Sequence, residues 1–276
     1  MTVIRSFVPA VLAICWAVSA AASDPARPDT GPLRDEVFTP ALDAICGRGE
    51  QLSAGCAAIR ARRIVEASQA PWSRIGRVNF ASREVRQHCT GALVGERLVL
   101  TAAHCLYSFP RKAWIPASSL HFAAGYQRGQ AVAQAQVRGY VLGPGQNTDS
   151  RDFRGGVMRD WALLELEEPI GRDLGFLPLV RPEVGEPVML AGYAGLRPHV
   201  LSLAEDCGGW RPFESEGVAL TDCSAMPGDS GAPLLVQREG ELGVAGVFST
   251  IVTTDTEAVY SLAVMTSVFE AAITGQ

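Results

Sequence analysis

The chain has 276 residues, of which 47% are hydrophobic, so it is long enough to bury one large core or two smaller ones. This hydrophobic fraction argues against disorder over most of its length. Its formal net charge is −5, which argues against a nucleic-acid partner because the phosphates of such a partner would be repelled.

The first 22 residues have the pattern of an export signal. Arg5 precedes an apolar run from Phe7 to Val18, and three alanines follow at residues 20–22. A short apolar run with a basic start and a small-residue end is typical of a cleaved signal. No later stretch reaches the ~20 apolar residues that a membrane span needs. We therefore expect a secreted or periplasmic protein with no membrane association after the signal is removed.

The composition of the residues after the signal predicts an extended leader, and the cysteines of the remaining chain predict disulfides. Residues 23–42 are rich in Pro, Asp, Gly and Arg, a composition typical of a chain that does not fold alone. Outside the signal the chain has six cysteines: Cys46, Cys56, Cys89, Cys105, Cys207 and Cys223. An even number of cysteines in an exported chain indicates disulfides. A zinc site is not expected, because no two of these cysteines have C-x-x-C spacing.

From Arg77 onward the sequence predicts an all-β domain. The apolar runs are short, rich in Val, Ile and Leu, and separated by Gly and Pro, as in folds built from many short strands. The clearest predicted strands are 97–101, 137–142, 187–193, 218–221, 233–237 and 243–252. One helix is predicted at the C-terminus, where Ser267 and Glu270 have the spacing of a capping box. The apolar face of this helix comprises Val264, Val268, Phe269, Ala272 and Ile273.

Three short motifs carry reactive side chains. His104 ends the run Leu-Val-Leu-Thr-Ala-Ala-His, Asp160 opens the run Asp-Trp-Ala-Leu-Leu, and Ser230 lies within Pro-Gly-Asp-Ser-Gly-Ala-Pro. Each motif alone has an ordinary interpretation as a packed histidine, a strand start or a turn. Together they supply an imidazole, a carboxylate and a hydroxyl, in that order along the chain.

In this order and context the motifs resemble those of the trypsin/chymotrypsin family of serine proteases. The resemblance covers roughly the last three quarters of the chain, and the segment before Ser230 is also similar to secreted bacterial relatives, including glutamyl endopeptidase-like proteins. It implies an all-β fold of two antiparallel six-stranded β-barrels with a C-terminal α-helix and the site between the barrels. We place the peptidase domain at residues 64–276 and the boundary between barrels near 170–180.

The resemblance assigns a chemical role to each of the three side chains. A serine hydroxyl is almost never ionised at neutral pH, so Ser230 needs a neighbouring base, and His104 is the candidate. Asp160 would hold the His104 ring in one tautomer. The implied function is a serine endopeptidase that acts on protein or peptide substrates as a monomer, with no organic cofactor and no metal.

Further site residues are implied by the same resemblance. The backbone N–H groups of Gly228 and Ser230 would form the oxyanion hole, since a side chain at Gly228 would block the substrate carbonyl. Ser249 lies on the segment that would pair with substrate, and its hydroxyl is a candidate partner for Asp160. The family pattern and sequence proximity also favour three disulfides: Cys46–Cys56, Cys89–Cys105 and Cys207–Cys223.

The resemblance also predicts that residues 23–63 are a propeptide. In the family, cleavage after a basic residue frees an Ile-Val terminus, here Ile64 after Arg63, whose ammonium would pair with Asp229. No other partner for Asp229 is evident in the sequence, so before cleavage by an activating protease we expect the oxyanion loop to be poorly formed. The alternative is that the basic run is an exposed turn with no role in processing, since Glu66 stands where the family usually has glycine.

The specificity pocket is expected to be uncharged and shallow. Ser224 lies six residues before Ser230, where trypsin-like enzymes that prefer Lys or Arg carry a carboxylate. Ile251 and Ala258 occupy wall positions at which open pockets keep glycine. Small or medium apolar side chains would therefore be preferred.

Alternatives to this interpretation remain open. Because Cys223 lies seven residues before the nucleophile, the loop differs from that of the common animal enzymes, and Asp222 could lie nearer the pocket. A preference for acidic residues, as in glutamyl endopeptidases, is therefore a second hypothesis. The same triad could serve an esterase, and a non-catalytic relative could use the cleft to bind a protein.

Overall fold

The computed structural model describes residues 56–81, 86–205, 207–253 and 258–275. The predicted signal at 1–22, most of the predicted propeptide and Cys46 lie outside these residues. The first half contains α1 (residues 56–61), β1 (Arg63–Ile64), β2 (Ile75–Ala81), β3 (Arg86–Leu93), β4 (Leu98–Thr101), β5 (Tyr107–Ser108), β6 (Ala113–Trp114), β7 (Leu120–Ala124), β8 (Ala133–Leu142) and β9 (Ala162–Leu166). The second half contains α2 (Ile170–Leu174), β10 (Met189–Gly192), β11 (Ser202–Ala204), β12 (Arg211–Phe213), β13 (Ser215–Thr221), β14 (Pro233–Arg238), β15 (Glu241–Thr253), β16 (Val259–Met265) and α3 (Thr266–Thr274).

The first half forms a closed antiparallel barrel with the predicted six strands. Its strand order is β2-β3-β4-β9-β8-β7. Leu120 and Phe122 on β7, Val137 on β8 and Leu164 on β9 are fully buried in one core, because alternate residues of a strand point to the same side. Each such side chain stabilises the fold by about 1.5–3 kcal/mol. The barrel therefore provides a rigid base for the loops that end β4 and precede β9.

The second half forms an eight-stranded antiparallel sheet, whereas a second six-stranded barrel was expected. Its order is β1-β11-β10-β14-β15-β16-β13-β12. The edge strand β1 comes from the border of the predicted propeptide and pairs with β11. The connection between the two halves runs from the end of β9 at Leu166 to the start of β10 at Met189 and contains α2, which lies in the predicted boundary at 170–180.

Strand β15 is buried on both of its faces. Val244 and Val247 pack in one core cluster, whereas Ala245 and Phe248 pack in a second cluster on the opposite side. This double burial explains why the sequence here is a continuous apolar run rather than an alternating pattern. The strand then continues to Thr253.

The C-terminal helix is present, but two details of its prediction are wrong. α3 begins after Met265 with no side-chain hydrogen bond at its N-cap, so Ser267 lies inside the first turn and forms no capping box. The carboxylate of Glu270 instead pairs with Arg181. Val264 belongs to β16, because the strand pairing continues to Met265. No helix in the described residues is both long and apolar enough to cross a membrane.

Candidate active site

Asp160 lies at the centre of a buried hydrogen-bonded group. It follows the 3-10 turn Val157–Arg159 and is fully buried. Its Oδ1 atom accepts the backbone N–H of His104 at 2.8 Å. Its Oδ2 atom accepts the ring Nδ1–H of His104 at 2.8 Å and the hydroxyl of Ser249 at 2.5 Å. Three donors therefore satisfy this buried carboxylate.

The contact with Asp160 fixes the tautomer of His104. The histidine lies on the 3-10 turn Ala103–Leu106 that follows β4. Because the carboxylate can only accept, the hydrogen of the neutral ring is on Nδ1 and the lone pair is on Nε2. The neighbouring Cys105 is joined by a disulfide to Cys89 on β3, with a Cα–Cα distance of 6.1 Å. The turn that presents His104 is thus closed covalently.

The loop of Ser230 lies against the segment that leads to His104. The backbone carbonyl of Ser230 accepts the N–H of Thr90 at 2.8 Å. The next residue, Gly231, has a φ of +78°, and a Cβ atom there would lie 2.9 Å from the backbone nitrogen of Ala102. Since Ala102 is two residues before His104, the hydroxyl and the imidazole are presented by segments in contact.

The backbone N–H groups of Gly228 and Ser230 have fixed directions. The carbonyl of Pro227 accepts the N–H of Gly195 at 2.8 Å, and the carbonyl before Ser230 accepts the N–H of Ala232 at 2.7 Å. In a trans peptide the C=O and the following N–H point in opposite directions. The N–H groups of Gly228 and Ser230 therefore point away from Gly195 and Ala232, which bond the two preceding carbonyls. This is the direction that the donors of an oxyanion hole need.

Two residues that the sequence did not single out, Thr90 and Gly195, hold this loop, and His88 lies beside it. Thr90 donates its hydroxyl to the carbonyl of Gly228 at 2.8 Å and accepts the N–H of Tyr193 at 3.0 Å. The N–H of Gly195 holds the peptide before Gly228. His88 Nε2 lies 2.9 Å from the carbonyl oxygen of Tyr193, and burial lowers the pKa of this imidazole. Apart from the Gly195 contact, these hydrogen bonds join residues more than a hundred positions apart, so no local sequence pattern indicates them.

The carboxylate of Asp229 is fully buried and paired with a guanidinium. Arg62 Nη1 donates to Oδ1 and Arg62 Nη2 donates to Oδ2, each at 3.0 Å. The backbone N–H of Met226 donates to Oδ2 at 3.1 Å. A Cβ atom on Gly192 would lie 2.3 Å from Oδ1, so a glycine is needed there. The expectation that Asp229 lacks a partner before cleavage is wrong, because Arg62 is two residues ahead of Ile64 and reaches the carboxylate directly.

The predicted cleavage site lies on the surface. Ile64 is 44% exposed and is paired in β1 with Ser202 of β11, so the uncut chain does not bring it to Asp229. The side chain of Arg63 is exposed and pairs with Glu205 at 2.7 Å. This hydrogen bond raises the pKa of Arg63 and lowers the pKa of Glu205.

A small pocket adjoins Ser230. Its lining comprises Met226, Pro227, Ser230, Phe248, Ser249, Thr250 and Ile251. It encloses only about 10 Å³, room for about one water molecule. Ser249 and Ile251, which were predicted from the sequence to belong to the specificity pocket, line this pocket together with Ser230, and so does Met226, which was not predicted.

Two other residues assigned to the pocket lie outside this lining. The carbonyl of Ser224 accepts a hydrogen bond from Arg62, so this segment faces the buried ion pair instead. Ala258 lies next to the start of β16. Asp222 is exposed and pairs with Arg211 at 3.1 Å, which directs its carboxylate toward the surface rather than the pocket.

The described cysteines form disulfides as the resemblance implied. Cys89–Cys105 and Cys207–Cys223 are both present. Cys56 is also disulfide-bonded, and its predicted partner Cys46 lies outside the described residues. Ligand atoms of Cys89, His104 and Cys105 lie within 4.8 Å of one another, but the two sulfurs are bonded to each other and have no thiolate to offer a metal.

Comparison with known proteins gives consistent matches. A family model described as Trypsin matches residues 63–273. A glutamyl endopeptidase from Bacillus licheniformis is 26% identical over 179 residues, which are 60% of this chain and 51% of that protein. The chain thus spans about half the length of that relative.

Solved structures share the fold. A Glu endopeptidase in complex with MPD superposes with a TM-score of 0.62 at 20% identity, over 78% of this chain and 95% of that one. A thermostable serine protease from an extremophilic microorganism gives 0.59 at 17% identity, over 74% and 98%. Protease Anisep from Arthrobacter nicotinovorans gives 0.56 at 17% identity, over 74% and 97%. The fold class predicted from the sequence is confirmed.

Proposed function

Because the chain belongs to the trypsin family of serine proteases, we propose that it is a serine endopeptidase that uses Ser230, His104 and Asp160. The observation that carries the proposal is the 2.8 Å hydrogen bond between the His104 ring and buried Asp160, on a segment that touches the Ser230 loop. This bond leaves Nε2 of His104 as a base of defined orientation. Protein or peptide chains are the proposed substrates.

Acylation begins when the Oγ atom of Ser230 attacks the carbonyl carbon of the scissile peptide bond. The hydroxyl proton passes to Nε2 of His104, and Asp160 stabilises the imidazolium that forms. The substrate oxygen becomes an oxyanion, which accepts hydrogen bonds from the N–H groups of Gly228 and Ser230. The C–N bond then breaks as His104 returns its proton to the leaving amine, which leaves an acyl ester on Ser230.

Deacylation repeats these steps with water. A water molecule attacks the ester carbonyl and gives one proton to Nε2 of His104. The same two N–H groups stabilise the second oxyanion. The C–O bond to Ser230 breaks, the carboxylic acid leaves, and His104 returns the proton to Oγ. One oxyanion donor of this kind contributes ~10²–10³ in rate.

The pocket supports a preference for small uncharged side chains on the residue before the scissile bond. Its volume is about 10 Å³, and every side chain that lines it is uncharged. A charged side chain would be desolvated there without a partner. The name of the Bacillus licheniformis relative describes glutamyl substrates of that protein. The side chains that line the pocket of this chain include no cation that could pair with a glutamate, so the lining does not favour glutamyl substrates here.

Export forms the remaining part of the proposal. Disulfides persist in oxidising compartments, so the two described disulfides and the signal-like residues 1–22 support secretion. The activation hypothesis stays a prediction: an activating protease would cut after Arg63, and the Ile64 ammonium would pair with Asp229. In the uncut chain that carboxylate is already occupied by Arg62.

The function can be tested with a fluorophosphonate probe, which reacts with activated serines. The purified full chain and its Ser230→Ala variant are treated with the probe, and the modified residue is mapped by mass spectrometry. We expect labelling at Ser230 and none in the variant. A peptide with Ala before the scissile bond should be cut fastest, and peptides with Glu or Arg at that position should be cut little.

Other outcomes would favour the alternative functions. Labelling at Ser230 together with hydrolysis of esters but of no peptide would indicate an esterase. A folded chain that is not labelled in the uncut or the cleaved state would overturn the proposed triad and favour a non-catalytic relative that binds a protein in the cleft. Fast cleavage after Glu would instead correct the pocket assignment.

A further inference from the structure

We propose that Arg62 is the internal counter-ion that holds the oxyanion loop in its working arrangement, so that the uncut chain is catalytically competent and residues 56–62 belong to the working enzyme. This inference rests on the proposed function, because it concerns the positioning of the same Ser230 loop. Arg62 is a positioning residue, since it acts through Asp229 and does not touch the reacting atoms.

Both carboxylate oxygens of Asp229 are hydrogen-bonded in the uncut chain. The side chains of Arg62 and Asp229 are 2% and 0% exposed. Two parallel N–H···O contacts at 3.0 Å form the bidentate arrangement that is specific to a guanidinium and a carboxylate. Arg62 also donates to the carbonyl of Ser224, and Met226 donates to Asp229. One guanidinium therefore connects the beginning and the end of segment 224–229, directly before the nucleophile.

The backbone that carries Arg62 is anchored independently of the carboxylate. The N–H of Arg62 donates to the carbonyl of Ala58 at 3.0 Å in α1. Arg197 donates to the carbonyl of Arg62 at 2.8 Å and also to the carbonyl of Arg60. Ile59 is fully buried in a cluster with Met226, one of the residues that line the pocket. The segment is thus packed as part of the domain.

Arg62 stands outside the part of the chain that the family match covers, which begins at residue 63. Its contribution to the site is therefore a property of this chain's own leading segment. Both oxygens of Asp229 already accept from Arg62. An ammonium at Ile64 could reach them only if β1 left its pairing with Ser202 and Arg62 withdrew. The two cations compete for one carboxylate.

Loss of the Arg62 charge should act on the chemical step. Asp229 would remain buried without a counter-charge, and the loop would shift to expose it. Since Asp229 shares its peptide with Ser230, the shift would misdirect the oxyanion donors. We expect kcat for a peptide substrate to fall by ~10²-fold or more, with a much smaller change in KM.

The experiment compares three variants of the full exported chain, each shown by intact mass to be uncut. Arg62→Gln removes the charge but keeps a hydrogen-bonding side chain, Arg62→Lys keeps the charge, and Arg63→Gln is the matched control that also removes the predicted cleavage site. We expect uncut Arg63→Gln to be labelled at Ser230 and to cleave peptide like the wild type. Arg62→Lys should retain at least ~10-fold more kcat than Arg62→Gln, with both variants folded by near-ultraviolet circular dichroism.

Two results would overturn the inference while leaving the peptidase in place. One is labelling of the wild type only after the bond between Arg63 and Ile64 is cut, with uncut Arg63→Gln inert. The other is a folded Arg62→Gln variant with wild-type kcat. Should Arg62→Gln fail to fold, the activity of uncut Arg63→Gln still decides the question. A folded wild type that is labelled in neither state overturns the proposed function itself.

Discussion

The two halves of the site are held in place by different means, and the contrast shows what each half requires. His104 and Asp160 bond to each other directly, across 56 positions of the first barrel, with one further hydroxyl from Ser249. The Ser230 loop depends on contacts that reach much further along the chain, such as the pairing of Asp229 with Arg62 across 167 positions. Two side chains can fix each other, whereas the direction of a backbone N–H depends on every peptide in its loop.

The largest expected effect comes from breaking the direct pair. Asp160→Asn keeps the size of the side chain, but its amide nitrogen is a donor where three donors now converge. The His104 ring would lose its fixed tautomer, and kcat should fall by ~10⁴-fold. Steady-state kinetics on a peptide substrate would measure this loss. Because Asp160 lies in the first half of the site, the direction of the Gly228 N–H should be unaffected, and a crystal structure of the variant would check it.

That result can be contradicted in a simple way. If Asp160→Asn keeps kcat within ~10-fold of the wild type, with Ser230 still labelled by the fluorophosphonate probe, the base is not held through this carboxylate. A thermal melt should accompany the kinetics, since Asp160 is fully buried.

A smaller loss of kcat is expected when the Ser230 loop, the second half of the site, is disturbed. A Cβ atom on Gly228 would lie 2.4 Å from the carbonyl oxygen of Tyr193 and 2.8 Å from Nε2 of His88, at a φ of +100°. The loop must move to accept Gly228→Ala, and the oxyanion donors move with it. We expect kcat to fall by ~10²–10³-fold.

Gly240→Ala is the matched control for this variant. Gly240 has a φ of +87°, but no atom lies within 4 Å of the position where its Cβ would be. Both variants carry the cost of a left-handed backbone, about 1 kcal/mol. Only Gly228→Ala should lose activity. Equal kinetics for the two variants would mean that crowding at Gly228 does not reach the donors.

The same contrast explains how much the sequence could predict. The motifs around His104, Asp160 and Ser230 are local, because apolar runs make strands and the Gly-Asp-Ser-Gly turn presents a hydroxyl whatever surrounds it. The fold class, the closed first barrel and two disulfides were therefore accessible. The pairing of Arg62 with Asp229 was not, since any of the 24 Lys and Arg residues could have supplied the cation and only the folded chain selects one.

The errors have similar physical causes. Ser267 and Glu270 have the spacing of a capping box, yet β16 runs to Met265 and α3 starts directly after it, so sheet pairing overrides the local preference. In the pocket, counting back from Ser230 led to Ser224, but the carbonyl of that residue is turned toward Arg62. Counting residues along the chain does not show that segment 224–229 folds around the buried pair of Arg62 and Asp229.

The smallest expected effect concerns a residue that joins the two halves. His88 belongs to β3 of the first barrel, but its ring lies against the carbonyl of Tyr193 beside the oxyanion loop. Burial lowers the pKa of His88, and the charge of Arg77 lowers it further, although the Tyr193 carbonyl raises it. An unfolded histidine titrates near its ordinary pKa of about 6.5. Below that pH the unfolded chain therefore binds the proton more readily than the folded one does.

It follows that the stabilising contribution of neutral His88 is complete above about pH 6.5 and is lost as the pH falls toward the lowered pKa of the folded state. The free energy of unfolding of His88→Gln, measured with urea at about pH 7.5 and about pH 5.5, should decrease less than that of the wild type. His121→Gln, which removes an exposed imidazole from β7, is the control. If His88→Gln and the wild type lose the same stability over this range, folding does not lower the pKa of His88, and the ring does not contribute to stability through its neutral form.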